Sequence, residues 1–329
     1  MNSAPKVTIG ILLYHSRKYL PDCLSTLRAQ DYPNLEITLR DNASGEGGDY
    51  EWVKANHPEI AIKKGPNIGF GAGHNALIRK ATGEFYACLN VDMRFEPDFI
   101  RWLVEAVQKD PEIAVATGKL LRWDFGGPNQ GKTTQIDTVG LKYFRSHRFE
   151  DEGQGSEDTG QYDTAREIFG SSGAAFLARM EALKDVGYFD ELFFMYKEDI
   201  DLAYRLRWAG WKAVYTPKAV AYHDRTTANL EGGGIFSLIA NRKSHSQRVK
   251  EWSYLNHEIM LRKNYSGFSW RVRLATAWYQ FKTYIYIFCF ERYLLKKRAE
   301  LRALMPQIEV RRAALKRRVA PKAIEQWMA

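Results

Sequence analysis

Short apolar runs alternate with helix-forming segments through the first 120 residues, and this alternation constrains the possible folds most. Strands are predicted at Val7–Leu13, Leu35–Arg40, Ile60–Lys63, Phe85–Leu89 and Ile113–Thr117, and helices at Leu20–Gln30, Tyr50–Asn56, Gly73–Ala81 and Pro97–Lys109. Because parallel strands need a crossover, which is usually a helix, this order predicts an α/β protein with a mostly parallel, doubly wound sheet.

The pattern changes twice further along the chain. Residues 120–164 are rich in Gly, Asp, Gln and charged side chains, which predicts a long irregular excursion with a hairpin around Ile136–Phe144. Regular elements are predicted again at Ile168–Ala178, Met180–Val186, Asp199–Ala209, Lys212–Tyr215 and Val220–His223. Beyond residue 258, apolar residues recur at helical spacing and predict an amphipathic helix: Leu274, Trp278, Phe281, Ile285 and Phe288. We therefore expect a domain over residues 1–258, with halves of about 1–119 and 120–258, and a basic helical tail over 259–329.

The positive charge is concentrated in that tail. The formal net charge of the 329 residues is +9, yet residues 261–329 contain sixteen Lys and Arg against four Asp and Glu. Such asymmetry indicates a polyanionic partner, either nucleic acid or an anionic membrane surface. No recognised nucleic-acid-binding motif accompanies the basic residues, whereas many aromatic residues are mixed with them, which favours a helix lying on a membrane surface. A helix packed on its own domain or on a second copy of the chain is the alternative.

Cysteine usage and hydropathy bear on the compartment. Cys23, Cys88 and Cys289 are far apart and odd in number, which excludes a disulfide framework and fits a reducing cytosol. No run of 18 or more uncharged apolar residues predicts a membrane-spanning helix. We expect a cytoplasmic protein that is peripheral on the inner face of the cell membrane.

Polar residues cluster at the predicted carboxyl ends of strands, where open α/β sheets bind ligands. Asp41 ends the second strand and precedes a glycine-rich segment, Asn67–Asn75, that lacks the third glycine of a dinucleotide-binding loop. Capping of a turn by Asp41 is an equally good interpretation. Asp92 follows the strand that ends in Leu89, and it could supply a hard oxygen ligand to Mg²⁺ or Mn²⁺.

An acidic cluster and a histidine complete the candidate set. Glu198, Asp199 and Asp201 follow an aromatic run at a predicted helix start, which suits either helix capping or a general base beside a partly dry pocket, and Asp201 can pair with Arg205 one turn later. His223 ends a strand and is followed by Arg225, so the pair could hold a metal and a phosphate oxygen, although a lone histidine is more often structural.

Residues Gly126–Thr133 match the phosphate-binding loop G-x-x-x-x-G-K-[ST]. The surrounding sequence does not fit, because the preceding segment is charged, Pro128 stiffens the loop and the following residues favour a strand over a helix. A P-loop nucleotide hydrolase and a nucleic-acid-binding protein with a basic tail are therefore alternatives, and neither explains the acidic cluster at Glu198–Asp201. A nucleotidyltransferase is the nearest enzymatic rival, but its glycine-rich basic motif is missing near the first strand.

Taken in order, these segments resemble the bacterial family 2 glycosyltransferases of the GT-A fold, particularly rhamnosyltransferase-like enzymes of cell-surface polysaccharide synthesis. The resemblance runs from Val7 to about Thr227. It is carried by Val7–Tyr14, Asp41–Ser44, Asn67–Gly71, Asn75, Leu89–Asp92, Gly170–Phe176, Gly187–Glu191, Glu198–Asp201, Arg205, Gly210 and His223. It implies a Rossmann-like nucleotide-binding half, a mixed central sheet and an acceptor half.

The resemblance also implies roles for individual residues. Asp199 would be the catalytic base, Asp92 and His223 the ligands of Mg²⁺ or Mn²⁺, and Asn90 replaces the leading Asp of the family's DxD motif. The nucleotide sugar would be bound by Asp41, Asn67, Gly69, Asn75, Asn90 and Arg225, and the acceptor by Gly173, Glu198 and Asp201.

The implied reaction is inverting transfer of a sugar, with rhamnose preferred, from a nucleoside-diphosphate donor. The implied acceptor is a hydroxyl of a glycan or of a glycan linked to polyprenyl diphosphate, and the tail would bring the enzyme to an anionic membrane. No nucleic-acid partner is expected, and assembly into a homo-oligomer is left open.

Overall fold

The computed structural model describes residues 4–46, 48–225 and 246–329, and the predicted alternation of strands and helices is present. The strands are β1 Val7–Leu13, β2 Leu35–Asn42, β3 Ala61–Gly65, β4 Phe85–Leu89, β5 Met93–Phe95, β6 Ile113–Trp123, β7 Lys132–Thr138, β8 Leu141–Tyr143, β9 Phe149–Asp151, β10 Arg166–Ile168, β11 Ala175–Arg179 and β12 Lys212–His223. The α-helices are α1 Leu20–Arg28, α2 Asp49–Asn56, α3 Phe70–Ile78, α4 Phe99–Gln108, α5 Met180–Val186, α6 Glu198–Trp208, α7 Gln247–Asn264, α8 Trp270–Phe290, α9 Lys297–Ala313 and α10 Pro321–Glu325. Thr226 and Thr227, at the end of the predicted resemblance, lie outside the described residues.

The N-terminal half contains the parallel part of the sheet. β1 pairs in parallel with β2 and β4, and β2 pairs in parallel with β3. Ile9 and Ile11 of β1 are fully buried in the core beneath α1 and α4. The register pairs Leu13 with Asp41, so β1 and β2 end together at the edge where the polar motifs follow.

The second half adds strands of both directions, which makes the central sheet mixed as expected. β11 runs antiparallel to β4 and β6, while β12 runs parallel to β6 and antiparallel to β5 and β10. β12 is continuous where two strands were predicted, with an irregular register between Thr216 and Val220. β8 and β9 form a hairpin over residues 141–151, slightly beyond the predicted one.

The loop that matches the phosphate-binding motif joins two antiparallel strands, β6 and β7. A phosphate-binding loop of that class needs a helix after the lysine, whose N-terminus faces the phosphates. Lys132 here begins β7, and its ammonium group pairs with Glu96. The P-loop interpretation is therefore wrong.

The helices after residue 246 pack on helix α6. Helix α7 runs through the predicted boundary at residue 258 and buries Ile259 and Met260 against Tyr204 and Trp208 of α6. The boundary at 258/259 therefore falls within one continuous helix, and the division of the chain stays a prediction.

The amphipathic helix predicted in the tail is present as α8. Its predicted apolar residues face solvent: Leu274 is 63% exposed, Trp278 57%, Phe281 54%, Ile285 49% and Phe288 59%. None of the helices among the described residues is long and apolar enough to cross a bilayer. Helix α8 thus presents an apolar face to solvent.

Candidate active site

The two predicted metal ligands lie side by side. Asp92 is in the short turn between β4 and β5, and His223 is the last residue of β12. Because β5 pairs with β12 and Met93 is opposite His223, the turn brings Asp92 next to the imidazole. The distance from His223 Nε2 to Asp92 Oδ1 is 3.4 Å, and the Asp224 amide donates to the Asp92 carbonyl at 2.9 Å.

Asp137 of β7, which was not among the residues predicted from the sequence, orients this histidine. His223 Nδ1 lies 2.8 Å from Asp137 Oδ2, and both side chains are buried. Burial alone lowers the pKa of His223, but the hydrogen bonds and charges of Asp137 and Asp92 outweigh it and raise the pKa to about 10. A carboxylate that binds one ring nitrogen leaves the other nitrogen available to a metal. A cation bound there would displace the proton from that second nitrogen.

The donor set suits a divalent cation that takes part of its coordination from a ligand. Asp92 offers a carboxylate oxygen and His223 an imidazole nitrogen, a mixed set that Mn²⁺ accepts readily and that leaves room for phosphate oxygens and water. Within residues 4–46, 48–225 and 246–329 no group of three or more His, Cys, Asp or Glu side chains forms a complete protein-only metal site.

Asp199 lies in the first turn of α6, where two backbone amides bind its carboxylate. Its Oδ2 accepts from the Gly173 amide at 2.9 Å and its Oδ1 from the Ile200 amide at 2.8 Å. Burial raises the pKa of Asp199 above its ordinary value, the two amides oppose that change, and the negative charge of Asp151 adds to it. A carboxyl group whose pKa is raised towards the working pH is better matched to proton transfer.

Glu198 and the preceding backbone show strain. Tyr196 and Lys197 have φ angles of 72° and 70°, the left-handed region that residues other than glycine rarely adopt. Glu198 is buried with one carboxylate oxygen unpartnered among the described residues, and burial raises its pKa well above the usual range. Such features cluster at functional sites, where the surrounding structure must hold them in place.

Two short chains of contacts connect Asp199 to the predicted metal ligands. On one side, the Asn90 amide donates to the Ala174 carbonyl at 2.8 Å, and the neighbouring Gly173 amide binds Asp199. On the other side, Arg225 pairs with Asp137 and with Asp151, whose charge acts on Asp199. These contacts connect Asn90, Gly173 and Asp199 to the segments that hold Asp92 and His223.

Three of the predicted nucleotide-binding residues shape loops. Asp41 is fully buried, and its two oxygens accept from the Ser44 amide at 2.8 Å and the Tyr50 amide at 3.2 Å. Asn67 accepts from the amide of Gly69, whose φ is 86° and ψ 179°. The direct contact of Asp41 with the nucleotide is thus not available in this arrangement, and the capping interpretation describes its role.

Asn75, Asp201 and Arg225 also differ from the prediction. Asn75 is buried and bridges α3 to the Phe189 backbone, with hydrogen bonds of 2.9 and 3.0 Å. Asp201 is fully buried and pairs with Arg205, as predicted, at 2.7 Å, so it cannot contact an acceptor directly. Arg225 already has both terminal nitrogens paired with Asp137 and Asp151, so in this arrangement they bind carboxylates and not a phosphate.

Comparison with known proteins decides the family. The model of a family described as "Glycosyl transferase family 2" matches residues 8–187. The chain belongs to this family. It is therefore a glycosyltransferase, and the alternatives of a P-loop hydrolase and a nucleic-acid-binding protein receive no support.

Individual relatives agree with that assignment. The chain is 26% identical over 240 residues to an N-acetylglucosaminyl-diphospho-decaprenol L-rhamnosyltransferase of Mycobacterium tuberculosis, covering 64% of this chain and 74% of the relative. It is 24% identical over 267 residues to a poly-beta-1,6-N-acetyl-D-glucosamine synthase of Staphylococcus epidermidis, covering 79% of this chain and 57% of the relative. The solved structure of GalNAc-T7 with UDP, GalNAc and Mn²⁺ superposes with a TM-score of 0.55 at 13% identity, over 88% of this chain and 58% of that one. That likeness confirms the predicted GT-A fold.

Proposed function

We propose that this glycosyltransferase inverts the anomeric carbon of a nucleoside-diphosphate sugar, with Asp199 as the base. The observation that carries the proposal is the Asp199 carboxyl group, which is held by the Gly173 amide at 2.9 Å and connected through residues 173–174 to the Asn90–Asp92 motif. A single displacement needs the leaving diphosphate and the base close together, and the contacts through residues 173–174 support that placement.

Different residues would act on the diphosphate of the donor and on the acceptor hydroxyl. Asp92 and His223 would hold Mn²⁺ or Mg²⁺, which would supply positive charge to the departing diphosphate. The acceptor hydroxyl attacks the anomeric carbon as the bond from that carbon to the diphosphate oxygen breaks. Asp199 takes the hydroxyl proton, and its raised pKa suits it to that transfer. Attack on the face opposite the leaving group inverts the centre.

We assign the acceptor class to glycans carried on polyprenyl diphosphate and the preferred donor to dTDP-rhamnose, for cell-surface polysaccharide synthesis. The mycobacterial relative is by name a rhamnosyltransferase acting on such a lipid-linked sugar, and it matches 64% of this chain. The test is turnover of UDP-, GDP- and dTDP-sugars with Mn²⁺ or Mg²⁺, measured as the release of nucleoside diphosphate. Preference for a UDP- or GDP-sugar would refute the rhamnose assignment alone.

The role of Asp199 is tested by Asp199→Asn. Loss of a positioned general base typically lowers the rate by ~10²–10⁴-fold, so we expect a folded protein with that loss in kcat. Glu181→Gln is a matched control, because Glu181 is also an acidic residue in the first turn of a helix but is exposed at α5. Turnover within threefold of the original in Asp199→Asn would remove the residue from this role.

We also propose that α8 docks the enzyme peripherally on an anionic membrane, on its cytoplasmic face. Alongside the exposed apolar face, α8 contains Arg271, Arg273 and Lys282 and no acidic residue. Apolar side chains and cations on one surface helix fit the interface of a bilayer with anionic lipids.

Vesicle flotation tests this docking. The full chain should float with vesicles containing anionic phosphatidylglycerol at low salt and bind pure phosphatidylcholine weakly. The double variant Trp278→Glu and Phe281→Glu should stay in solution, whereas Val310→Glu, an isolated exposed apolar position on α9, should still float. Loss of a dimer in the double variant, with unchanged flotation, would instead assign the α8 face to a second copy of the chain.

A further inference from the structure

The start of α6, which presents Asp199, is strained and needs an external support. Tyr196 and Lys197 adopt left-handed conformations in succession, and each costs free energy that neighbouring contacts must offset. Release of this turn would rotate the first residues of α6 and move the Asp199 carboxyl group. The elements that hold the turn therefore control the geometry of the proposed base.

The geometry points to Asn256 of α7 as a positioning residue for Asp199, an inference that rests on the proposed catalytic role of Asp199. Asn256 is only 2% exposed. Its Nδ2 donates to the carbonyl oxygens of Met195 and Tyr196, both at 2.8 Å. One amide group thus binds the backbone on the N-terminal side of the strained turn, three and four residues before Asp199.

One face of α7 contacts the chain on both sides of Asp199. Trp252 stacks on Phe194 with 5.0 Å between ring centroids, one helical turn before Asn256. Seven residues after Asn256, Lys263 reaches Asp201 at 2.8 Å. Spacings of four and seven residues place these three side chains on one face of the helix.

Asn264 strengthens the C-terminal side of this contact, since its Nδ2 donates to Asp201 Oδ1 at 3.0 Å. Asp201 is two residues after Asp199 and fully buried. α7 therefore fixes the chain before Asp199 through Asn256 and after it through Asp201. We call this set of contacts, made by Trp252, Asn256, Lys263 and Asn264, the α7 clamp.

The predicted metal side is held by other elements. His223 is fixed by Asp137 of β7, and Asp92 by the backbone of Asp224. Loosening the α7 clamp should therefore lower the rate of chemistry while the donor still binds. This separation of kcat from donor KM distinguishes positioning from a general loss of structure.

Asn256→Ala tests the clamp with the least risk to folding, because removal of Lys263 would take a buried cation away from two buried carboxylates, Asp190 and Asp201. We expect kcat for turnover of dTDP-rhamnose with Mn²⁺, or of the donor selected in the screen, to fall 10–100-fold, the effect of a misplacement of about 1 Å. Donor KM should change less than threefold. Asn256→Gln keeps the amide donor and should recover part of the loss, and Gln247→Ala, in the exposed first turn of α7, should behave as the original chain.

A double variant connects the effect to Asp199. If Asn256 acts through that carboxyl group, Asn256→Ala added to Asp199→Asn should lower kcat no further. If the single variant Asp199→Asn is inactive while the single variant Asn256→Ala keeps full kcat, the clamp is overturned and the assignment of Asp199 as the base stays intact. A parallel fall of kcat, donor affinity and melting temperature in Asn256→Ala would also overturn it, by showing a general structural role. Full activity of Asp199→Asn would refute the proposed function instead.

Discussion

Replacing Asp137 by Asn tests whether the buried carboxylate prepares His223 for a metal. Asp137 and His223 are both at most 5% exposed and lie 2.8 Å apart, so solvent screens the contact weakly. Asn keeps the shape and an acceptor oxygen but removes the charge. Loss of such an outer-shell carboxylate usually lowers metal affinity 10–100-fold, or about 1.4 to 2.7 kcal/mol of binding free energy.

Electron paramagnetic resonance of free Mn²⁺ measures that affinity directly in the presence of dTDP. Asp124→Asn is the matched control, because Asp124 is exposed in the loop that leads to β7. Thermal melting checks the fold, and Arg225 retains Asp151 as its partner in the variant. A folded Asp137→Asn protein with the Mn²⁺ affinity of the original would refute the assignment of Asp137 as the group that orients the ligand.

Three further predictions concern stability and the rejected nucleotide loop. Burial lowers the pKa of His74 to about 3 from an ordinary 6.5, so the unfolded chain binds one more proton between these values and stability falls as the pH drops through this window. His74→Phe should reduce the slope of unfolding free energy between pH 5 and 6.5 by up to ~1.4 kcal/mol per pH unit in urea titrations, and an unchanged slope would contradict this. Lys132→Ala should leave donor turnover within a few-fold, and loss of nucleotide binding in a folded variant would revive the P-loop interpretation. Gly69→Ala should destabilise more than Gly126→Ala, since both have positive φ but only at Gly69 would the new Cβ meet a backbone atom, Phe194 O at 2.2 Å; equal melting temperatures would refute the clash.

The sequence predicts the parallel part of the sheet because its strands are short apolar runs with helices between them. Val7–Leu13 and Phe85–Leu89 have the predicted bounds in the structure. The prediction fails where strands leave the fully apolar pattern. β6 continues to Trp123, and β7 contains Asp137 among polar residues, whereas residues 120–164 were predicted to be an irregular excursion with a hairpin around Ile136–Phe144.

The pairing of Asp92 with His223 was predicted, and the structure places their side chains in contact. The roles of Asp41, Asn75 and Asp201 were predicted less well, because a motif gives a residue's position along the chain and not the direction of its side chain. Asp201 shows the reason: its pair with Arg205 is visible at a spacing of four, but its pair with Lys263 joins residues 62 positions apart.

Helix α7 was the largest omission. Its buried face contains Asn256, Glu258, Lys263 and Asn264, which from the sequence alone look like solvent-exposed residues. Asn256, Lys263 and Asn264 are buried because they bind the backbone and carboxylates around α6, and Glu258 pairs with Arg262 of its own helix. Such pairing offsets the cost of removing polar groups from water. The hydrophobic pattern therefore gives no indication that this helix packs on α6.

We propose above all that one edge of the sheet holds the donor diphosphate at Asp92 and His223, with Asp199 beside the reacting carbon. Anomalous diffraction from crystals grown with Mn²⁺ and dTDP tests this placement most directly. We expect a manganese peak within bonding distance of Asp92 and His223 Nε2, with the diphosphate on the ion and an open path to Asp199. Manganese and nucleotide bound elsewhere, with Asp199 closed off from them, would contradict it.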